Sequence, residues 1–171
     1  SRENWQRSGD EVETLIGLLE ATIRDETPRL IEEGVQVRLA GRLDELPPGT
    51  RSSIEQAILA TAAGDRMVLN VAFNYSSRSE IVDAVRAFVD DGNELSDFDE
   101  EALSDYLYTA GLPDPDLLVR TGGDQRISNF LLWQAAYAEL YFCDAFWPDF
   151  GPAELDEAID EFNRRARRFG R

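Results

Sequence analysis

Apolar residues recur at helical spacing through the first part of the chain. Val12, Leu15, Ile16, Leu19, Ile23, Leu30 and Ile31 predict one long helix over residues 10–33. Asp10 is its candidate N-cap, Pro28 a candidate kink and Gly34 its stop. Residues 35–40 alternate and predict a strand. A loop over 41–49 with Pro47 and Pro48 leads to a second helix over 50–63, with Ile54, Ala57, Ile58 and Thr61 on one face. Residues 67–73 are apolar on both faces, the pattern of a central strand. A third helix over 79–89 turns Ile81, Val82, Val85, Phe88 and Val89 inward, and a shorter one covers 99–108. Leu117, Leu118 and Val119 form a brief strand behind the loop 113–116. The nearly apolar segment 130–138 follows a turn and reads as a helix, and 140–143 as a last strand. Trp147 and Phe150 look like aromatic anchors of a turn. Gly151 and Pro152 open a final helix that buries Leu155, Ile159 and Phe162. Strands alternating with helices predict an α/β fold with a largely parallel sheet and flanking helices, in one domain over 1–171.

Composition narrows what such a fold does. A chain of 171 residues with 43% hydrophobic content can bury a core. No apolar run approaches a membrane span, and no secretory signal is read at the start. The single cysteine, Cys143, excludes an internal disulfide, reads as a buried inert thiol and fits a reducing, cytoplasmic setting. Without histidine there is no imidazole catalysis. The net charge of −17 argues against binding nucleic acid over the general surface. Every basic residue is arginine. Acidic excess without lysine suits a very salty cytoplasm, and equally a GC-rich genome; a chain fully folded in dilute buffer would sink the first reading.

The candidate chemistry lies between Leu117 and Glu139. The apolar strand stops at Arg120, and Thr121, Gly122 and Gly123 follow at once. A charge at the end of a buried strand, then glycines that let backbone approach a ligand, is how α/β proteins build sites. Arg126 and Ser128 add a second guanidinium and a hydroxyl, a donor set for phosphate or diphosphate. Glu139 ends the apolar segment and is a candidate Mg²⁺ ligand, since Mg²⁺ takes a few carboxylates with phosphate oxygens and water. Each piece also has a structural reading: Arg120 as a salt-bridged strand end, the glycines as a turn, Glu139 as a solvated helix end. Residues 74–78 form a second polar turn at a strand end, with Arg78 in it and Ser76 or Ser77 as a helix cap. The arginines from Arg164 to Arg171 suit either a helix C-terminus or an anion- or partner-binding tail.

These residues resemble the cis-prenyltransferases, the undecaprenyl diphosphate synthase family. The resemblance runs through S-R-E-N-W-Q-R from Ser1, N-Y-S-S-R from Asn74, R-T-G-G-D-Q-R-I-S-N-F-L-L-W-Q-A-A-Y-A-E-L-Y-F from Arg120, W-P-D-F from Trp147 and R-R-F-G from Arg167. It implies an enzyme that adds isopentenyl diphosphate to an allylic diphosphate, farnesyl or geranylgeranyl, making a long-chain cis-polyprenyl diphosphate for a glycan carrier, with Mg²⁺. It implies that Arg120, Arg126, Ile127 and Ser128 hold isopentenyl diphosphate, with Arg7 nearby, and that Glu139 is a Mg²⁺ ligand. Asn4 matches the position that assists proton removal, as a relay or orienting group; Ser1, Arg2, Glu3 and Trp5 match a loop closing over substrate. Met67, Leu69 and Val71, beside Leu19 and Val37, match the tunnel wall. A homodimer and contact with a membrane surface are implied as well.

The pattern is departed from in four places. Gln125 stands where some members have histidine, Asp124 replaces the usual glutamate, and Ser76 and Ser77 replace two glycines. The family's opening strand and D-G-N-G-R segment, source of its catalytic aspartate, are not found in residues 1–171, and four strands are counted against the family's six. The chain therefore reads as the C-terminal two-thirds of such an enzyme. These residues alone are expected not to turn over, an expectation that incorporation of labelled isopentenyl diphosphate with no other chain present would refute. The competing readings are a non-catalytic partner subunit of a cis-prenyltransferase and a stand-alone phosphate-binding module.

Overall fold

The computed structural model describes Ser1 and residues 9–165. The chain divides into two compact units, Ser1–Gly111 and Leu112–Arg171. The α/β class and the parallel strands are those the sequence predicts. Among the described residues, four strands form two parallel pairs, one in each unit.

In the first unit α1 (Gly9–Glu32) leads to β1 (Val35–Ala40), α2 (Pro48–Thr61), β2 (Met67–Ala72), α3 (Ser77–Asp90) and α4 (Glu100–Tyr106). α1 runs on through Pro28, and Asp10 lies in its first turn rather than at its cap. Gly34, at φ +70°, stops it. β1 and β2 pair in register from Val35 against Met67 to Ala40 against Ala72, with α2 as the crossover. Thr61, nearly fully buried at the end of α2, accepts the Val37 N–H at 3.0 Å and donates to the Ala57 carbonyl at 2.8 Å. Its hydroxyl thus satisfies an amide that the ladder leaves over. The Thr50 hydroxyl donates to Glu20 Oε1 at 2.6 Å and ties α2 to α1.

Two burial predictions fail here. β2 was expected to be central, yet among the described residues it pairs only with β1, and Met67, Val68 and Leu69 are exposed. Apolarity on both faces measures what a strand is suited to have covered, and packing decides whether cover is present. α3 buries Ser77, Glu80, Ala84 and Phe88, while Val82 and Val89 are exposed. The helix is rotated because Glu80, fully buried, is saturated from inside: the Tyr75 hydroxyl and the Tyr108 N–H both donate to its carboxylate. A paired carboxylate can take a core position that hydrophobicity alone assigns to a valine. Phe88 then packs edge-on to Phe98 and Tyr106, with ring centroids 5.0 and 5.5 Å away. Asp99 caps α4 by accepting the Ala102 N–H at 2.8 Å.

The second unit holds β3 (Leu117–Arg120), β4 (Glu139–Phe142) and α5 (Pro152–Arg164). β3 and β4 are parallel, with Leu117 opposite Glu139 and Arg120 opposite Phe142. The predicted helix over 130–138 is absent; successive turns connect the strands. Leu131, near the start of that segment, holds a left-handed φ of +48°, and Ser128 and Asn129 just before it hold +46° and +60°, so no α-helix enters the segment from its N-terminal side. Glu139 consequently opens a strand rather than ending a helix. The Glu154 carboxylate accepts the Gly151 N–H at 2.8 Å at the start of α5, and this bond holds its carboxyl below the usual value. α5 buries Ala158, whereas Leu155 and Ile159, expected inside, are exposed. Trp147 stacks on Phe150 but is 75% exposed, so it does not anchor its turn in a core. Cys143 is half-buried rather than enclosed.

Candidate functional site

β3 delivers Arg120 to its carboxyl end, and the turns after β3 and β4 are laced together there. Cys143 N–H donates to the Arg120 carbonyl at 3.0 Å, Gly123 N–H to the Cys143 carbonyl at 3.0 Å, and Gly122 N–H to the Ala145 carbonyl at 2.8 Å. Gly122 and Gly123 sit at φ +85° and +79°, a left-handed pair that reverses the chain within two residues. The reversal brings the following loop back over Arg120.

Four side chains meet in that loop. Arg120 Nη1 donates to the Arg126 carbonyl at 2.7 Å and to Ser128 Oγ at 2.9 Å, and its Nη2 donates to Asp124 Oδ2 at 2.7 Å. Arg126 Nη2 donates to the same Asp124 oxygen at 2.6 Å. Arg120 is mostly covered and Arg126 mostly open, at 25% and 64% side-chain exposure. The Arg120 Nε is buried and has no hydrogen-bond partner. Arg120, Arg126 and Ser128 are therefore brought together, with Ile127 between the last two. Asp124, which sequence reasoning did not place in the site, joins the two guanidiniums. Its position between the two arginines in the chain was the available signal.

Glu139 is not part of this cluster. The register sets it opposite Leu117, at the other end of the strand pair from Arg120, three residues or about 10 Å along the strand. The parallel pairing creates this separation, and the strand-turn-helix reading concealed it. Glu139 Oε2 instead accepts from Arg165 Nη1 at 3.0 Å, and Arg165 also reaches the Leu140 carbonyl at 2.9 Å and Glu161 at 3.2 Å. Hydrogen bonds to Glu139 and Glu161 hold the Arg165 guanidinium above its ordinary pKa. Among the described residues no three acidic, cysteine or histidine side chains gather as a metal cage. One carboxylate still fits Mg²⁺, which takes one or two and fills its other positions with phosphate oxygens and water. Arg2, Glu3, Asn4, Trp5 and Arg7 lie outside the described residues, as do the arginines from Arg167 onward; Ser1 is exposed.

The first unit has its own polar cluster at the carboxyl ends of β1 and β2. Asn74, at φ +49°, donates to the Arg42 carbonyl and to Glu45 Oε2, each at 2.9 Å. Arg42 grips Asp83 through two hydrogen bonds of 2.7 Å, and the Tyr108 hydroxyl donates to Asp83 Oδ2 at 2.5 Å. Burial alone would raise the Asp83 carboxyl, but bonds from Arg42 and Tyr108 outweigh it and hold the group below the usual carboxylate value. Burial, and next the bond to Asp83, push the Tyr108 hydroxyl up to about 12. Each of these groups answers another, so the network braces the turn from 74 to 78. Met67 and Leu69, expected in a tunnel wall, are exposed.

A parallel α/β chain with paired guanidiniums at a strand's carboxyl end is of the kind that suits phosphorylated ligands. Residues 1–170 match the family model described as putative undecaprenyl diphosphate synthase. The chain is 49% identical over 174 aligned positions to an isoprenyl transferase of Bacillus anthracis, covering 99% of this chain and 67% of that protein. It is 47% identical over 170 positions to an isoprenyl transferase of Fusobacterium nucleatum, covering 99% and 73%. Among solved structures it is similar to a probable undecaprenyl diphosphate synthase from Campylobacter jejuni, with TM-score 0.89, 33% identity and 99% and 79% coverage. It is similar also to lavandulyl diphosphate synthase from Lavandula x intermedia in complex with dimethylallyl diphosphate, with TM-score 0.93, 34% identity and 99% and 75% coverage. The chain belongs to the undecaprenyl diphosphate synthase family of prenyltransferases. It spans about two thirds of the length of the Bacillus relatives. Among the described residues no helix is long and apolar enough to cross a membrane.

Proposed function

We propose that Arg120, Arg126, Ile127 and Ser128 form the isopentenyl diphosphate site of a cis-prenyltransferase. The partner substrate is an allylic diphosphate, farnesyl or geranylgeranyl, and the product a long-chain cis-polyprenyl diphosphate used as a glycan lipid carrier. The observation that supports this reading is the convergence of Arg120, Arg126 and Ser128 in one loop at the end of β3.

The residues divide the work by exposure. Arg120 is largely spent on holding the loop, while the Arg126 side chain is mostly exposed, within reach of an anion that takes the place of Asp124. Ser128 offers a hydroxyl beside them. Held this way, the isopentenyl double bond attacks C1 of the allylic chain. The allylic diphosphate leaves with its bonding electrons, and a proton is lost from C2 of the isopentenyl unit. Asn4 orients or relays that proton. Glu139 would hold Mg²⁺, which when bound neutralises the departing diphosphate. The catalyst acts as a homodimer, in the cytoplasm, at a membrane surface that receives its lipid product.

Calorimetric titration of isopentenyl diphosphate into the 171-residue chain tests the site. Saturable binding is expected, weakened at least about tenfold by Arg126→Ala, the loss of roughly one charge-assisted contact. Arg24→Ala, on exposed α1, serves as the control. Equal binding by the two variants would overturn the assignment.

A further inference from the structure

One carboxylate oxygen already occupies the place between the two guanidiniums. Asp124 Oδ2 receives Arg120 Nη2 at 2.7 Å and Arg126 Nη2 at 2.6 Å, the spacing of charge-assisted hydrogen bonds. A phosphoryl oxygen held by both arginines would need those same two N–H groups. We propose that Asp124 is a built-in stand-in for the ligand: it occupies the anion position between the two guanidiniums and competes with the incoming diphosphate for both arginines. The proposal rests on the reading of this loop as a diphosphate site.

Three features favour competition over a purely supporting role. Arg120 does not depend on Asp124 for its placement, because its Nη1 is fixed separately by the Arg126 carbonyl and Ser128 Oγ. Removing the carboxylate therefore leaves the strand-end guanidinium aimed as before. Among the described residues, Asp124 is the one partner of the Arg126 guanidinium, and both side chains are substantially exposed. That contact can open into water without unpacking a core. Asp124 also follows the Gly122–Gly123 reversal directly, where the backbone tolerates rotation that other residues resist. An anionic competitor lowers affinity and favours ligands that carry more than one negative charge, since these outbid a lone carboxylate. A diphosphate would displace Asp124 where a monoanion would not.

The test is calorimetric binding of inorganic pyrophosphate to the 171-residue chain at low ionic strength. Asp124→Asn keeps the shape and removes the charge, and Asp124→Ser gives a second neutral variant should the first fold poorly. Asp124→Glu keeps the charge. Both neutral variants are expected to bind pyrophosphate about tenfold more tightly than the parent, ~1.4 kcal/mol, with the gain shrinking as salt is added. Asp124→Glu should bind no more tightly than the parent. Neutral variants that bind equally or more weakly overturn the stand-in role. If Arg126→Ala still loses binding in that case, the diphosphate site itself survives. If Arg126→Ala changes nothing, the site reading falls with the proposal.

Discussion

Lysine in place of Arg120 and lysine in place of Arg126 are the same chemical change, yet the structure separates their consequences. Arg120 sends three hydrogen bonds into the loop from two nitrogens, to the Arg126 carbonyl, Ser128 Oγ and Asp124. A lysine ends in one compact ammonium and cannot reproduce that planar fan. At least two bonds are lost. At a net of about 1 kcal/mol each, somewhat more for a charged donor, the loss is about 2–3 kcal/mol. Arg126 makes one ion pair with Asp124, and the two side chains are 64% and 41% exposed. A pair that open contributes about 0–1 kcal/mol, less once salt screens it. Urea unfolding followed by tryptophan fluorescence reads the difference, because Trp133 and Trp147 both lie in the second unit. With a slope of about 2 kcal/mol per molar urea, Arg120→Lys should lower the midpoint by about 1 M. Arg126→Lys should barely move it, though it should weaken pyrophosphate binding. Equal shifts, or a larger shift for Arg126→Lys, would show that Arg120 does not brace the loop.

Gly41→Ala should cost about 3–5 kcal/mol, because a non-glycine φ near +140° is strained and the added Cβ would lie 1.8 Å from the Phe73 carbonyl oxygen. That displaces the bond from Phe73 N–H to the Ala40 carbonyl, and a thermal unfolding scan will show whether it does. Gly17→Ala, on the exposed side of α1 with nothing within 4 Å of the new Cβ, should stabilise by about 0.5–1 kcal/mol in the same scan. Tyr108 holds its proton to about 12 when folded and to 10.0 ordinarily, so the folded state binds more protons in that interval and stability falls as pH rises through it. Tyr108→Phe should flatten that alkaline loss, as measured by urea midpoints across the interval. Asp83 has the opposite sign: its lowered carboxyl contributes stability above the ordinary carboxylate range that is lost as pH falls, and Asp83→Asn should remove this acid sensitivity.

What could be read from the chain alone was whatever depends on near neighbours. The period of Val35–Ala40, the glycine after α1, the proline-bounded α2 and the apolar run into Arg120 all carry their geometry locally, and each element lies where expected except that α2 begins two residues earlier, at Pro48. The nearness of Arg120, Arg126 and Ser128 was also legible, since one short loop contains all three. Tertiary packing decided the rest. α3 turned toward Glu80 because two donors from Tyr75 and Tyr108 waited in the core, something no periodicity encodes. The segment before Glu139 is turns rather than helix, entered through left-handed backbone at Ser128, Asn129 and Leu131, and hydrophobicity does not report the sign of φ. Glu139 moved away from the arginines because parallel pairing fixes which end of β4 faces which end of β3. Periodicity encodes what a residue prefers to have around it; only the folded chain determines which partners are supplied.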